Sequence, residues 1–360
     1  MQLLDLKAQQ ERIKEDLSSR ISKVMDHSRF ILGPETIELE TKLAKLSQRK
    51  YALTVSNGSL AIMMALMALN LKPGAEIITT SFSFIATAEM PKLLGFKLKF
   101  ADIDPISFNI DPKSTEALIT KNTGAIIAVD LYGQCADYPE LEKLAKKHKI
   151  PIISDAAQSF GASQSGKPAA SFGDIATTSF FPSKPLGCFG DGGAIFLDND
   201  ELFAKLKMIR DHGQKQRYIH ETLGLNGRMD TLQAAILLAK LEIFESEILR
   251  RREIADFYAQ NLNNSFVTTP VIAKENKSAW AQYTVRSEKR EALQKHLSSA
   301  DIPSSIHYPA PLHKQPVFKQ NHLVLPEVEK ASKEVLSLPM HPYLKDSDLQ
   351  LVADQIQKFS

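Results

Sequence analysis

Two cysteines, Cys135 and Cys188, are all that the 360 residues contain. They cannot build a disulfide scaffold, and no CxxC pair offers thiolates at zinc spacing. Long apolar runs are missing as well. No stretch reaches the ~18 uninterrupted apolar residues of a membrane span, and the start, MQLLDLKAQQERIKEDL, lacks the apolar centre of a signal peptide. A cytoplasmic chain without membrane insertion is expected. The Asn-x-Ser matches at Asn57, Asn263 and Asn276 then have no route to glycosylation and read as chance. Neither sign of charge dominates: 44 Lys+Arg against 42 Asp+Glu leave +2, without the basic surplus that a nucleic-acid binder shows.

Several catalytic signatures are also absent. HExxH and GxSxG do not occur, which removes the main support for a zinc peptidase or a serine hydrolase. The glycines of Gly187-Cys-Phe-Gly190-Asp-Gly192-Gly193 are wrongly spaced for a dinucleotide-binding turn. The stretch from Gly161 to Gly166-Lys167-Pro168 fits GxxxxGK, but proline stands where Ser or Thr must bind magnesium, and no strand and helix flank it. No metal site is expected.

What is present is a chain longer than one ordinary domain, with ample residues for a core. Short β-rich runs precede helical patterns between about residues 50 and 200, the signature of βαβ units and a mostly parallel sheet. The expected strands are Tyr51–Val55, Glu76–Thr80, Lys97–Ala101, Ala125–Asp130, Ile150–Ser154, Ile175–Phe180 and Ala194–Leu197. Helices are expected at Leu60–Leu69, Pro139–Lys149 and Glu201–Arg210. Beyond Asp230 a long charged helix runs towards Leu262, followed by a β-like Tyr283–Arg286 and helices at Arg290–Ser299, Glu327–Leu336 and Ser347–Phe359. The expectation is an α/β domain over residues 1–235, including an N-terminal Leu6–Met25 helix, and a smaller α+β domain over 236–360.

Three strand ends carry chemistry. Ser56-Asn57-Gly58-Ser59 enters the apolar helix with free amides and a hydroxyl for a phosphate, or with Ser59 as a plain N-cap. Asp155 follows a buried apolar strand at the sheet edge where α/β folds bind ligands; it either meets a cation there or caps the next segment. Lys184 sits among Phe180, Phe181, Pro182 and Leu186, where desolvation lowers an amine pKa and makes it nucleophilic. An acid, a lysine and a phosphate cradle match the ring nitrogen, aldehyde and phosphate of pyridoxal phosphate.

The runs Asp155-Ala-Ala-Gln158-Ser-Phe-Gly-Ala, Ser179-Phe-Phe-Pro-Ser-Lys184, Gly190-Asp-Gly-Gly and Gly224-Leu-Asn226-Gly-Arg228-Met-Asp resemble the DegT/DnrJ/EryC1/StrS sugar aminotransferases. The resemblance spans nearly the whole chain, from Asp5-Leu-Lys to Leu336-Ser-Leu-Pro-Met-His-Pro. It implies the aspartate aminotransferase-like fold (fold type I), with a seven-stranded, mostly parallel sheet flanked by helices. It also implies pyridoxal phosphate as cofactor, L-glutamate as donor and a homodimer with shared sites. Leu131-Tyr-Gly-Gln-Cys-Ala-Asp137 and Met340-His-Pro-Tyr-Leu resemble the branch that aminates C3 of UDP-2-acetamido-2-deoxy-3-oxo-glucuronate, in di-N-acetylated mannuronic acid synthesis. Other dTDP- or UDP-linked keto-deoxysugars, and a regulator that binds the cofactor without turnover, stay open as alternatives.

Carried onto this sequence, the resemblance makes Lys184 the amine that bonds the aldehyde and moves the substrate proton. Asp155 pairs with the ring nitrogen, Gln158 with the ring hydroxyl, and Phe84 stacks on the ring. Gly58, Ser59 and Ser179 hold the phosphate together with the partner subunit's Asn226. Phe30, Ser183, Arg228, His307 and Tyr308 contact the sugar nucleotide, with Arg228 presenting a fork to a uronate carboxylate. Dehydratases on this scaffold have histidine in place of the lysine, so Lys184 argues against dehydration.

Overall fold

The computed structural model describes residues 1–360 except 263, 319 and 321, so the acceptor match at Asn263 lies outside the described residues. Seven strands form the main sheet: β1 (Tyr51–Val55), β2 (Glu76–Thr80), β3 (Lys97–Ala101), β4 (Thr123–Val129), β5 (Ile152–Asp155), β6 (Ile175–Ser179) and β7 (Gly193–Leu197). Their order is β1-β7-β6-β5-β4-β2-β3. Only β7 runs antiparallel to its neighbours, β1 and β6; the other pairings are parallel.

Sheets built this way are covered on both faces, and the strands read accordingly as apolar runs. Successive residues alternate between two cores. Ile78, Ile126, Ile152 and Phe196 face one layer with Leu39, Leu141 and Leu237. Ile77, Ile127, Ile153 and Ile195 face the other with Ala61, Ala65 and Leu206. The helix Gly58–Ala68 contributes Ala61 and Ala65 to that second layer and is apolar on nearly every side because it is buried there.

Several boundaries differ from the sequence reading. The N-terminal helix breaks at Ile13 into Leu6–Arg12 and Lys14–His27. Ile13 and Leu17 pack on Ile236 and Ala239, Val24 is the buried residue of the last turn, and Met25 is exposed. Helices Pro34–Ser47 and Ala86–Leu93 were not expected. The helix expected to end at Leu336 stops at Glu334, and Val335–Leu338 forms a strand antiparallel to Tyr283–Arg286. Leu336 and Leu338 gain Tyr283 and Val285 as core neighbours by that pairing.

The helix Thr231–Asn261 serves two cores. Leu237, Phe244 and Ile248 belong to the core of the large sheet, while Ile254, Ala255 and Tyr258 belong to the core built with the C-terminal helices. The division expected after residue 235 falls within its first turns. Among the described residues no helix is long and apolar enough to cross a membrane.

Candidate active site

The carboxyl ends of β1, β5 and β6 converge on one region. At the end of β1 the chain turns through Asn57 into the helix Gly58–Ala68. Asn57 is the N-cap, accepting from the Leu60 amide at 2.8 Å. The cap is therefore not Ser59, whose hydroxyl makes no hydrogen bond among the described residues. Ala61 N reaches Asn57 O at 3.0 Å, which leaves the amides of Gly58 and Ser59 without a partner among the described residues, at the positive end of the helix. Ser179, the last residue of β6, packs so closely that a Cβ on Gly58 would lie 2.7 Å from the Ser179 Cβ. Two amides and the Ser59 and Ser179 hydroxyls thus gather at this turn; Ser179 Oγ accepts from Phe181 N at 3.2 Å, and its own O–H remains for a phosphate.

Asp155 closes β5 and is buried. Burial raises its pKa above the usual carboxylate range, opposed by the Ala157 amide at 3.1 Å, the charge of Lys184 and the Thr87 hydroxyl. Lys184 is half-buried on the turn after β6, its amide held by Phe181 O at 2.9 Å. Desolvation lowers its pKa, with Asp155 pulling the other way. Phe180 and Leu186 are buried there as expected, whereas Phe181 is exposed and does not enclose the amine.

Gln158 is buried beside them. Its Oε1 accepts from the Tyr132 amide at 2.9 Å, and Nε2 donates to the Tyr308 hydroxyl at 3.1 Å. One N–H of the amide remains for a ligand. Tyr132 also donates its hydroxyl to the His307 carbonyl, so Gln158, Tyr308, His307 and Tyr132 close a ring of contacts. His307 has its pKa lowered by burial and by Lys184, and its Nδ1 meets Ser337 Oγ at 2.9 Å. Burial raises the Tyr308 pKa, so this hydroxyl keeps its proton. Phe84 is 56% exposed; it is not a core aromatic, and its ring is free for a ligand.

The remaining expected residues make no hydrogen bond or ion pair with this cluster among the described residues. Ser183 and Phe30 are exposed, and Phe30 O accepts from Thr231 N at 2.9 Å. Asn226 is exposed on a segment bridged to Asp211. Arg228 pairs Nη1 with Asp211 in its own chain, and its buried Nε has no partner. Thr87 and Tyr132 were not anticipated as site residues. Tyr132 adopts a left-handed backbone conformation (φ 57°) ahead of Gly133, and the Leu131-Tyr-Gly turn was the available signal.

A profile of the DegT/DnrJ/EryC1/StrS aminotransferase family matches residues 11–357. The chain belongs to this family. It is 49% identical over 98% of both chains to a Pseudomonas aeruginosa UDP-2-acetamido-2-deoxy-3-oxo-D-glucuronate aminotransferase. It is 44% identical to a Geobacillus stearothermophilus protein named pleiotropic regulatory protein, over 99% of this chain and 98% of that one. The solved structure of S. venezuelae DesV in complex with a ketimine intermediate superposes with a TM-score of 0.97, at 35% identity, covering 99% of this chain and 97% of that one. The architecture is that of fold type I, as expected. DegT/DnrJ/EryC1/StrS aminotransferases use pyridoxal phosphate, and the residues here fit it. The unpaired amides of Gly58 and Ser59 suit its phosphate, the buried Asp155 needs a cationic partner, and the desolvated Lys184 suits its aldehyde.

Proposed function

We propose that this chain moves the amino group of L-glutamate onto the C3 keto group of UDP-2-acetamido-2-deoxy-3-oxo-glucuronate. The product would feed a surface polysaccharide containing di-N-acetylated mannuronic acid, such as a lipopolysaccharide O-antigen. The protein would act in the cytoplasm as a homodimer. The observation that carries this reading is the 49% identity, spread over almost the full length, to the P. aeruginosa enzyme of that name.

When bound, pyridoxal phosphate supplies an aldehyde that takes up an amine and a ring that stores the electron pair of a broken Cα–H bond. Gly58 and Ser59 would hold its phosphate through their amides, with the Ser59 and Ser179 hydroxyls and the partner's Asn226 completing the grip. Asp155 would pair with the ring nitrogen and keep a proton there, a pairing that burial strengthens. Gln158 has one N–H left for the ring hydroxyl, and Phe84 offers a ring face. Lys184 would take the donor Cα proton on Nζ and return a proton at the reacting carbon. Burial lowers its pKa, which favours the free amine that takes the proton. On the acceptor side His307 and Tyr308 present a neutral imidazole and a protonated hydroxyl. Arg228 offers the uronate the part of its fork that Asp211 leaves free.

The regulator name of the Geobacillus relative raises a second reading, cofactor binding without turnover. Asp155 and Lys184 influence each other's charge, an arrangement that serves proton transfer as well as cofactor binding. Both readings meet in one experiment. The cofactor absorbance should bleach with glutamate and recover with the 3-keto uronate nucleotide, in preference to 4-keto and 6-deoxy analogues, and Lys184→Ala should abolish both changes. Recovery with a deoxysugar instead would move the substrate; an unchanged Lys184→Ala protein would refute the mechanism.

A further inference from the structure

His307 and Tyr308 lie on a strap, residues 305–313, that runs from one core to the other. At its start Ser305 and Ser337 exchange both backbone bonds, at 3.1 and 2.7 Å, which ties it to the strand Val335–Leu338 in the core built with the C-terminal helices. At its end Leu312 N donates to Ser81 O at 2.9 Å, directly behind β2 of the large sheet. Pro309 and Pro311 stand between the two acceptor residues and that second anchor. Their rings fix φ, so a shift at the anchor is passed along the strap. Tyr308 also sets its ring edge-on to Phe82, the residue after Ser81, with the centroids 6.2 Å apart.

His313 is the side chain of the second anchor, and it is wholly buried. Its Nε2 faces Glu329 Oε1 at 3.2 Å, on the helix Pro326–Glu334, and therefore carries the hydrogen. Nδ1 is then an acceptor. It takes the hydroxyl hydrogen of Ser81 at 2.7 Å, while Ser81 Oγ accepts from His313 N at 3.0 Å. Burial lowers the pKa of the ring, with the Glu329 contact opposing, so the neutral form prevails at pH 7. A serine, a histidine and a glutamate in line resemble a hydrolytic triad. Ser81 is as buried as His313, however, and its hydroxyl is already bonded both ways, so no substrate carbonyl reaches it. What the line does is hold the strap to the sheet.

We propose that His313 is a positioning residue of the acceptor half-reaction, whose bond to Ser81 sets where His307 and Tyr308 stand against the sugar nucleotide. This assignment rests on the aminotransferase reading. Gln158 has its own bond to the Tyr132 amide, apart from the strap, so the donor half-reaction feels the change less. An asparagine oxygen falls where Nδ1 stands and accepts from Ser81; a glutamine nitrogen falls where Nε2 stands and keeps only Glu329. His313→Gln should therefore slow the reaction of pyridoxamine-loaded protein with the 3-keto uronate nucleotide about 10- to 100-fold relative to that of pyridoxal-loaded protein with glutamate, the scale of a misplacement of about 1 Å. His313→Asn should keep that ratio within about threefold of wild type. Equal slowing of both halves by glutamine, or the same ratio in the two variants, overturns the proposal. Ser81→Ala removes the same bond from its other end and decides by the same ratio if the glutamine variant does not fold. A crystal structure of Ser81→Ala should show the Tyr308 hydroxyl displaced by about 1 Å from Gln158; an unmoved strap refutes the proposal. If wild-type protein reacts with no keto sugar nucleotide, the functional reading fails, and that structure still decides His313.

Discussion

Replacing Gly58 by alanine is a small change that reaches the cofactor cradle directly. The new Cβ would stand 2.7 Å from the Ser179 Cβ and 3.2 Å from its Cα, against an ordinary carbon contact of about 3.5–4.0 Å. The strain requires a shift of roughly 1 Å, given that contact distance. Ser179 cannot supply it, because it is paired in register with Gly193 of β7. On the other side a Cβ at Gly193 would lie 2.7 Å from the Asn57 carbonyl carbon, so the turn is packed there too. The helix start must move, at a cost of about 1–3 kcal/mol for overpacking. The gain from replacing glycine in a helix, about 0.5–1 kcal/mol, offsets only part of this. Displacing the Gly58 and Ser59 amides should forfeit at least one charge-assisted bond to phosphate, about 1.5–3 kcal/mol, or roughly 10- to 100-fold in affinity. Equilibrium dialysis of Gly58→Ala against pyridoxal phosphate measures this. Affinity within twofold of wild type would show that this turn does not hold the phosphate.

Three further outcomes follow from the same geometry. Asn57→Ala removes the acceptor of the Leu60 amide and should cost about 1 kcal/mol in urea unfolding. Asp155→Asn should keep the fold but lower kcat by about 10²–10⁴-fold, the scale of a lost proton-handling group; steady-state assay at saturating substrates checks it. Asp130 is wholly buried and accepts from Ala136 N, Tyr138 OH and Ser159 Oγ, yet burial pushes its pKa up to about 7. Its folded pKa lies above the unfolded one, so the folded state holds a proton that the unfolded state has released. Stability should fall as pH rises from about 4 to about 7 and level off above, by an amount on the order of a few kcal/mol. Asp130→Asn should remove that slope, and parallel urea midpoints for the two proteins across this range would contradict it.

The sheet was legible because its strands are short β-rich runs, most of them followed by helical patterns. β2 and β3 fall where the β-rich runs placed them, since burial on both faces leaves little freedom of register. Asp155 was legible as the charge that ends a buried apolar run, and Lys184 as a charge set among Phe180, Pro182 and Leu186 on the turn beyond β6. Val335–Leu338 was not, because its strand character exists only through pairing with Tyr283–Arg286, about fifty residues earlier. The ring through Tyr132, Gln158, Tyr308 and His307 was equally hidden; its bonds join distant segments and use a backbone amide that no side-chain pattern reports. Ser59 was one candidate for the helix cap, and Asn57, two residues earlier, took the place. That slip matters, since it leaves one more hydroxyl for the ligand.

The helix Thr231–Asn261 is, at 1.5 Å per residue, a rod of roughly 46 Å, and it is at once a wall of one core and of the other. Recombination between relatives has to respect that indivisibility. A chimera joined after residue 235 would graft one parent's rod onto the other parent's sheet, mismatching Leu237, Phe244 and Ile248 against foreign neighbours. A join after Leu262 would pass the mismatch to Ile254, Ala255 and Tyr258. Specificity is more readily exchanged through the loops around His307 and Arg228, which can be swapped while the rod and both of its cores come from a single parent.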